Sequence, residues 1–295
     1  MPFLQKRGHE VIRLSRRQSD AGSVYWDPIH GNFQKDPFEG FDTVIHLAGA
    51  GITSTRWTKK KKEELFLSRC RDTWLLSQVL SRLYQPPMTM ITASAIGYYG
   101  SRGEMELTEE SSKGEGFLAN LVSKWEEATS AIENRGARVV HARFGVVLGA
   151  DGGMLKKILP LFKSGLGGKI GTGKQILSWI SIDDLLAAVD HILMTETLSG
   201  PVNVVAPNPV SQEEFTRLLA KKLGRPAFCK IPEWVLKGLL GEMAKETLLS
   251  SAKVKPVKLL RSGYLFRYPD LPAALDHLVL TSSAQRKSGG AEGAE

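Results

Sequence analysis

Several short stretches of this 295-residue chain carry residue types that bind small molecules: arginines, hydroxyls and residues with little or no side chain. Each stretch follows an apolar run. They are Ser15-Arg16-Arg17, Ala48-Gly49-Ala50-Gly51, Ala93-Ser94-Ala95 and Phe144-Gly145. Small residues let a ligand approach the backbone, hydroxyls exchange hydrogen bonds with it, and guanidinium groups match phosphate geometry. The pattern is typical of a ligand site.

These stretches follow predicted strands that alternate with predicted helices. Apolar runs favour strands over 11–14, 24–26, 43–51, 88–100 and 137–149, and helical spacing of apolar residues favours helices over 65–83 and 117–134. Strands separated by helices of this length indicate a parallel sheet with crossover helices. Ligands bind beyond the carboxyl ends of such strands, so we expect the stretches to meet at one edge of the sheet.

Composition and charge narrow the classes of function. The chain is 42% hydrophobic, has a net charge of +8 and contains two distant cysteines and six scattered histidines. These features favour a reduced, cytoplasmic protein without a metal site. No apolar run is long enough to span a bilayer or to form a secretory signal. The net positive charge fits a phosphate-rich cofactor or substrate. The lysine run 59–62 is typical of a solvated helix start, and no nucleic-acid-binding module surrounds it.

The beginning of the chain is unusual for a dinucleotide-binding unit. Such a unit opens with a strand and a glycine-rich turn that places the pyrophosphate on a helix N-terminus. Here residues 3–7 are typical of the last turn of a helix, and Gly8 is typical of a residue that ends one. Residues 9–14 are typical of the second strand of such a unit. The first strand and its turn are therefore expected to be missing, through a misassigned start codon or a genuine loss. For the chain as written we expect weak cofactor binding or none, and unpaired backbone groups at the centre of the sheet.

The order and spacing of several segments carry a resemblance to a known family. They include RGHEVIRLSRR, VIHLAGAGI, SRCRDTWLL, TASAIGYYG, FLANLVSKWEEA, ARFGVVLGADGGML and GLGGKIGTGKQILSWISIDDL. Together they resemble the short-chain dehydrogenase/reductase superfamily in its extended or atypical branch. More closely, the chain is similar to the NAD-dependent epimerase/dehydratase-like proteins described as nucleoside-diphosphate-sugar epimerases. Those proteins end in a small domain of unassigned function.

The resemblance implies an α/β fold. We expect a Rossmann-like, doubly wound parallel sheet that lacks its first strand and glycine-rich loop, with a small, mostly helical C-terminal domain on the substrate side. The expected divisions are an NAD(P)-binding domain over 1–200 and a C-terminal region over 201–280. Composition alone predicts a disordered tail over 281–295.

The resemblance also implies an NADP-dependent oxidoreductase or epimerase that acts on an unknown small molecule, with a nucleotide-sugar as one option. NADP is favoured over NAD because Arg16 and Arg17 follow the second strand and no acidic residue stands there. The alternative is a catalytically inactive protein that uses the same fold for binding or regulation. We expect a small-molecule substrate and, since homodimers are common among relatives, a second copy of the chain as partners. We expect neither nucleic acid nor a membrane as a partner.

Carried over residue by residue, the resemblance predicts three groups of site residues. The cofactor group is Arg16, Arg17, Leu47, Ala48, Gly49, Ala50, Thr92, Phe144, Gly145 and Val146. The catalytic group is Ser94, Tyr98, Tyr99 and Lys124. The substrate group is Gly171, Gln175 and Trp179.

Several of these residues have plainer interpretations that stay open. Lys124 fits the lysine of the superfamily's Y-x-x-x-K motif, but Asn120 stands where the tyrosine should be, and an amide cannot exchange that proton. Lys124 could equally be an ordinary exposed lysine on a helix, and Trp179 could equally be a core residue. Asp183 and Asp184 are predicted to cap a helix.

Overall fold

A computed structural model describes residues 1–15, 23–27, 38–53 and 56–288, with the backbone alone over 280–288. Arg16 and Arg17 lie outside the described residues. In the part of the chain that is described, no helix is both long and apolar enough to cross a membrane.

Twelve α-helices and fourteen strands follow one another along these residues. The helices are α1 (Pro2–Lys6), α2 (Lys59–Phe66), α3 (Asp72–Ser81), α4 (Phe117–Glu127), α5 (Ser130–Asn134), α6 (Gly153–Lys163), α7 (Ile182–Met194), α8 (Gln212–Leu223), α9 (Glu233–Leu240), α10 (Glu242–Glu246), α11 (Val257–Arg261) and α12 (Leu271–Ser288). The strands are β1 (Arg13–Ser15), β2 (Ser23–Tyr25), β3 (Thr43–His46), β4 (Thr89–Ala95), β5 (Glu106–Leu107), β6 (Arg138–Phe144), β7 (Val146–Gly149), β8 (Gly168–Ile170), β9 (Ile176–Leu177), β10 (Trp179–Ser181), β11 (Gly200–Val204), β12 (Val210–Ser211), β13 (Cys229–Ile231) and β14 (Lys253–Val254).

The main sheet is parallel and has the order β11-β6-β4-β3. Helices cover both of its faces because neighbouring side chains of a strand point in opposite directions. Met90 packs with Leu76 and Leu80 of α3, whereas Ile91 packs with Ala188 and Ile192 of α7. The predicted α/β class and doubly wound sheet are confirmed.

A second, two-stranded parallel sheet is formed by β1 and β2 and is separate from the main one. Among the described residues, β3 pairs with β4 alone, so its other edge carries no strand. Helix α1 lies beside α7, where Arg7 Nη2 is 3.4 Å from Asp190 Oδ2. The separation agrees with the expected unpaired edge at the centre of the sheet.

Three elements that the sequence predicts as continuous are each divided in the structure. The predicted helix 65–83 is interrupted by a π-helical turn, Leu67–Arg71, between α2 and α3. The predicted helix 117–134 divides into α4 and α5. The predicted strand 137–149 divides into β6 and β7 at Gly145, where a Cβ would lie 2.7 Å from the carbonyl oxygen of Ser178.

The C-terminal part pairs with earlier segments in two small parallel sheets that are separate from the main sheet. Strand β13 pairs with β8, and β14 pairs with β5. The boundary expected after residue 200 falls at β11, which belongs to the main sheet. Helix α12 continues to Ser288, so the first eight residues of the tail expected to be disordered are helical. Residues 281–288 contain no proline or glycine, the two residues that most disfavour a helix.

Candidate functional site

A chain of buried polar groups begins where β4 ends. Ser94 is 3% exposed, and its hydroxyl donates a 2.6 Å hydrogen bond to Glu126 Oε1 from α4. Arg143, near the end of β6, grips the same carboxylate with both sides of its guanidinium, through Nε to Oε1 at 2.8 Å and Nη2 to Oε2 at 2.7 Å. Parallel pairing sets Ser94 directly opposite Arg143, which brings the hydroxyl and the ion pair together.

The network continues from Arg143 to the 3₁₀ turn after β4, Ile96–Tyr99. Arg143 Nη1 donates to the Tyr99 hydroxyl at 3.0 Å, and that hydroxyl donates to Asn203 Oδ1 of β11 at 2.7 Å. The guanidinium carbon of Arg143 lies 3.5 Å from the centroid of the Tyr98 ring. Three strands and one helix thus hold the polar groups in one arrangement.

Burial, hydrogen bonds and neighbouring charges together set the protonation states in this network. Burial opposes the charge of Arg143, but the hydrogen bonds and charge of Glu126 outweigh it and raise the pKa of the guanidinium above its usual value. Burial also raises the pKa of Tyr99. Arg143 and Glu126 are therefore a fixed ion pair, and Tyr99 keeps its proton near neutral pH. Because the Ser94 proton points to Glu126, the hydroxyl can offer a ligand only its lone pairs.

The residues of α4 that lie against Gly97, in the turn after β4, are apolar. A Cβ built on Gly97 would lie 3.4 Å from Leu118 Cβ and 3.9 Å from Val122 Cγ2. Lys124 lies on the exposed side of the helix, where its Nζ is 3.2 Å from Glu127. Asn120 is exposed as well, and accepts a 2.8 Å hydrogen bond from Lys113 Nζ. The structure therefore does not bring Lys124 together with Ser94, and the pair at tyrosine–lysine spacing beside β4 is Leu118 and Val122.

The carboxyl end of β3 is open. Leu47, Ala48 and Gly49 are exposed and Ala50 is half-buried, with its amide donating to Ser68 Oγ at 3.1 Å. This segment has one side chain larger than a methyl group, that of Leu47, so a flat ligand can lie against its backbone. The predicted cofactor residues at this edge are thus placed where a ligand can reach them.

The other predicted cofactor residues lie deeper. Thr92 is 1% exposed in the middle of β4, so its position fits the core better than a ligand contact. Phe144, Gly145 and Val146 are half-buried at the break between β6 and β7, one residue beyond Arg143. The break therefore lies next to the buried network, at the same edge of the sheet as Ser94.

The predicted substrate residues are structural in this arrangement. Gln175 Nε2 donates to the carbonyl oxygens of Ile170 at 3.1 Å and Leu248 at 3.3 Å, and the amide of Gly171 donates to Ile231 at 2.9 Å. Both residues tie the C-terminal part to the loop between β8 and β9. Trp179 is fully buried in the core and its indole N–H donates to the Asn208 carbonyl at 3.1 Å, which is the core position left open above.

The sequence-based predictions omitted Glu126, Arg143 and Asn203, which are central to the network. A signal for two of them is present in the sequence. Arg143 is a charged residue within the strand-like run 137–149, and Glu126 continues the buried face of α4 after Trp125. Charged residues at core positions are almost always paired, but sequence alone does not say with which partner.

Comparisons with known proteins identify the families to which two parts of the chain are similar. Residues 1–205 match the NAD dependent epimerase/dehydratase family, and 231–278 match a domain of unknown function, DUF1731. An epimerase family protein of Mycobacterium bovis is 38% identical over 275 residues, which cover 93% of this chain and 91% of that protein.

Two solved structures are similar over nearly the whole chain. The human epimerase family protein SDR39U1, crystallised with NADPH, is 34% identical with a TM-score of 0.88, and the match covers 95% of this chain and 94% of that one. The nucleoside-diphosphate sugar epimerase of Corynebacterium glutamicum is 36% identical with a TM-score of 0.77, covering 98% of this chain and 57% of that one. The chain described here therefore belongs to the NAD dependent epimerase/dehydratase family.

Proposed function

We propose that this protein is an NADP-dependent oxidoreductase or epimerase-like enzyme that acts on a small molecule held at the carboxyl edge of the main sheet. The observation that carries the proposal is the exposed segment of small residues at the end of β3 beside the buried Ser94 network. The human relative solved with NADPH supports the cofactor, and the name of the Corynebacterium relative supports a nucleotide-sugar as substrate.

The residues at this edge fit a dinucleotide. A Cβ on Gly49 would lie 3.2 Å from the guanidinium carbon of Arg69, so a side chain there would be tightly packed, whereas glycine leaves bare backbone on the exposed side. A nicotinamide cofactor bound here supplies hydride transfer. The choice of NADP rests on Arg16 and Arg17, whose guanidinium groups match a 2′-phosphate.

The chain's own contribution is to orient the substrate. Ser94 is held by Glu126, and Glu126 by Arg143, so the Ser94 lone pairs have a fixed direction. They accept a hydrogen bond from a substrate hydroxyl and position its carbon. The half-buried ring of Tyr98, fixed over Arg143, supplies a flat wall for the substrate.

Turnover tests this proposal. Absorbance at the NADPH band is followed with a panel of UDP-sugars and small carbonyl compounds, and sugar products are separated by chromatography. We predict that Ser94→Ala lowers kcat/KM for the best substrate by about 100-fold, because a positioned hydrogen bond is lost. Ser123→Ala, which removes an exposed hydroxyl bonded to Glu127, is the control and keeps the wild-type rate. Equal rates for both variants would remove Ser94 from the site.

A second candidate function is ligand binding without turnover. It is favoured by Asn120, which stands where the superfamily's tyrosine is expected, and by Lys124, which lies on the exposed side of α4. It is also favoured by Tyr99, whose buried hydroxyl is already bonded to Asn203 and Arg143. Saturable NADPH binding with no product from any member of the panel would support this candidate over the first.

A further inference from the structure

The outer edge of strand β13 presents unpaired backbone groups. Strands β13 and β8 form a two-stranded parallel sheet, so no strand lies along the other edge of β13 among the described residues. The Cys229 amide donates to the Gly167 carbonyl oxygen at 3.3 Å, and the Ile231 carbonyl oxygen accepts from the Gly171 amide at 2.9 Å. Backbone groups of successive strand residues point to opposite sides. The N–H and C=O of Lys230 therefore point away from β8, and they have no partner in the part of the chain that the structure describes.

The sequence around this edge is strongly basic. Two stretches, 152–182 and 215–232, contain no aspartate or glutamate, and the pairing of β8 with β13 brings them side by side. Their basic residues are Lys156, Lys157, Lys163, Lys169, Lys174, Arg217, Lys221, Lys222, Arg225 and Lys230. The charge of these two stretches exceeds the net charge of the whole chain, which is +8.

The nearest acidic residues do not neutralise this charge. The Glu213 carboxylate accepts a 2.8 Å hydrogen bond from Lys169 Nζ. That hydrogen bond and the charge of Lys169 lower the pKa of Glu213, and the charges of Lys174 and Lys230 lower it further. Glu233 is already paired with a lysine of its own helix, α9. Lys174 and Lys230 have no ion pair within the described residues, so the surface keeps an excess of positive charge.

Exposed apolar side chains flank the open edge. Phe228, which precedes β13, is 91% exposed, and Trp234 in α9 is 76% exposed. Leu166 is 62% exposed, and the hydrogen bond between Cys229 and Gly167 places it at the same end of the two strands as Phe228. Large apolar side chains grouped on a polar surface indicate an interaction site.

The charge of this edge argues against a second copy of the chain as its occupant. Two copies of β13 paired along their open edges would bring Lys230 and the surrounding lysines close to the same residues of the other copy. Like charges opposite one another destabilise strand pairing, and a lysine on an edge strand protects proteins against self-association. An acidic strand reverses the sign of this effect, because the same lysines attract it.

We propose that the open edge of β13 binds an extended, acidic segment of a partner protein as an added strand. The segment supplies backbone groups to Lys230, carboxylates to the unpaired lysines, and apolar side chains at alternate positions that cover Phe228 and Trp234. Lipid headgroups and nucleic acids match the charge, but neither carries the regularly spaced N–H and C=O groups that pair with a strand edge. This interaction goes beyond the proposed function and is independent of its cofactor and substrate.

Two peptides of equal charge test the interaction with the wild-type, full-length protein. A short fluorescein-labelled peptide in which glutamate and valine alternate is titrated against the protein and followed by fluorescence anisotropy. In the second peptide proline replaces valine, which keeps the charge but removes every second amide donor. We predict that the glutamate–valine peptide binds saturably, and more tightly than the glutamate–proline peptide by about tenfold or more, because strand addition depends on main-chain hydrogen bonds.

Hydrogen exchange of single amides shows whether a strand is added. Exchange is measured by NMR on ¹⁵N-labelled protein with and without saturating glutamate–valine peptide. We predict that the Lys230 amide exchanges more slowly by about tenfold or more in the complex, because it gains an acceptor. The Cys229 amide already donates to Gly167, so it is the internal control and changes little.

Two substitutions at one position separate charge from backbone pairing. Lys230→Ala removes the charge and should weaken binding of the glutamate–valine peptide by about threefold. Lys230→Pro also removes the N–H donor and should weaken binding by a further factor of about five. Proline is tolerated on a free strand edge, so the fold is retained. Arg135→Ala removes an exposed positive charge from the turn before β6 and should keep wild-type affinity.

Several results would overturn this proposal. One is the absence of saturable binding of the glutamate–valine peptide by folded protein. Equal affinity for the two peptides, with an unprotected Lys230 amide, would show attraction by charge without strand pairing. Tighter binding of phosphatidylserine vesicles or of a single-stranded thymidine oligonucleotide than of the peptide would assign the surface to a lipid or a nucleic acid instead.

Discussion

At the scale of single residues, the site depends on one buried ion pair. Arg143 and Glu126 have side chains 3% and 12% exposed, and they connect the Ser94 hydroxyl to Tyr98 and Tyr99. Sequence placed Ser94 and the two tyrosines near one another because they share a strand end. It could not pair Glu126 with Arg143, because their contact depends on how α4 crosses the sheet.

We predict that Glu126→Gln lowers the free energy of unfolding by about 3 kcal/mol, because it leaves the Arg143 charge buried without a carboxylate. Urea denaturation at pH 7 measures the change. Glu127→Gln is the matched control, since Glu127 has a side chain 59% exposed and pairs with Lys124 at the surface, and it should change stability by less than about 0.5 kcal/mol. Similar values for the two variants would contradict a structural role for the buried pair.

A second residue-scale prediction concerns pH. Burial lowers the pKa of His46 from its ordinary 6.5 to about 4, and its Nε2 contacts Thr73 Oγ1 at 3.0 Å. Between these two pH values the unfolded chain binds a proton that the folded chain refuses, so the free energy of unfolding falls as the pH is lowered from 6.5 towards 4. The slope from one such histidine approaches about 1.4 kcal/mol per pH unit.

The variant His46→Gln should lose that part of the slope. Free energies of unfolding of both proteins are measured from a pH above 6.5 down to about 4. Each series is expressed relative to its own value at the highest pH. This reference removes any change in packing caused by the substitution. Parallel curves for wild type and variant would show that His46 does not contribute to acid sensitivity.

At the scale of elements, continuous apolar strands were predictable and interruptions were not. Strands β4 and β6 are buried on both faces, as the lack of regular apolar–polar alternation in their sequences indicates. The π-helical turn after α2 and the break at Gly145 lie against distant segments, Ala50 and Ser178 respectively. Local periodicity carries no information about such contacts.

The start of α7 shows the same limit. Asp183 and Asp184 were predicted to cap this helix, but the cap is Ser181, whose Oγ accepts from the Asp184 amide at 3.0 Å. The Asp184 carboxylate instead accepts from the amides of Arg267 and Tyr268 at 2.7 and 2.9 Å. A buried carboxylate thus fastens the C-terminal segment to α7.

We predict that Asp184→Ala lowers the free energy of unfolding by about 3 kcal/mol, because two partly buried amides and the buried Tyr264 hydroxyl lose a charged acceptor. Asp183→Ala is its neighbour control. Asp183 is a surface residue 3.2 Å from His277, so its loss should cost less than about 1 kcal/mol. Thermal unfolding followed by circular dichroism compares the two, and an equal loss would show that the carboxylate acts only through the helix terminus.

At the scale of the whole molecule, the two matched regions are joined by specific polar contacts. The Glu246 carboxylate of α10 accepts hydrogen bonds from the first amides of α4, Phe117 at 2.8 Å and Leu118 at 2.7 Å. Gly116 has φ of +103° and leaves no room for a Cβ beside that carboxylate. The C-terminal region therefore holds the N-terminus of α4, the helix that carries Glu126.

The class of fold could be predicted because it follows from the alternation of strands and helices. The long-range contacts of the residues carried over as substrate contacts could not be predicted, because Gln175 and Trp179 bond to segments that are distant in sequence.

The most direct test of cofactor binding is a fluorescence titration of the folded protein with NADPH and, separately, with NADH. We predict weak but saturable NADPH binding, tighter than NADH by about tenfold or more, which corresponds to about 1.4 kcal/mol or more of phosphate recognition. Replacing Arg16 and Arg17 by alanine should remove the difference, and Arg13→Ala should retain it. Absence of NADPH binding by protein shown to be folded, or equal affinity for the two cofactors, would contradict the proposed NADP-dependent function.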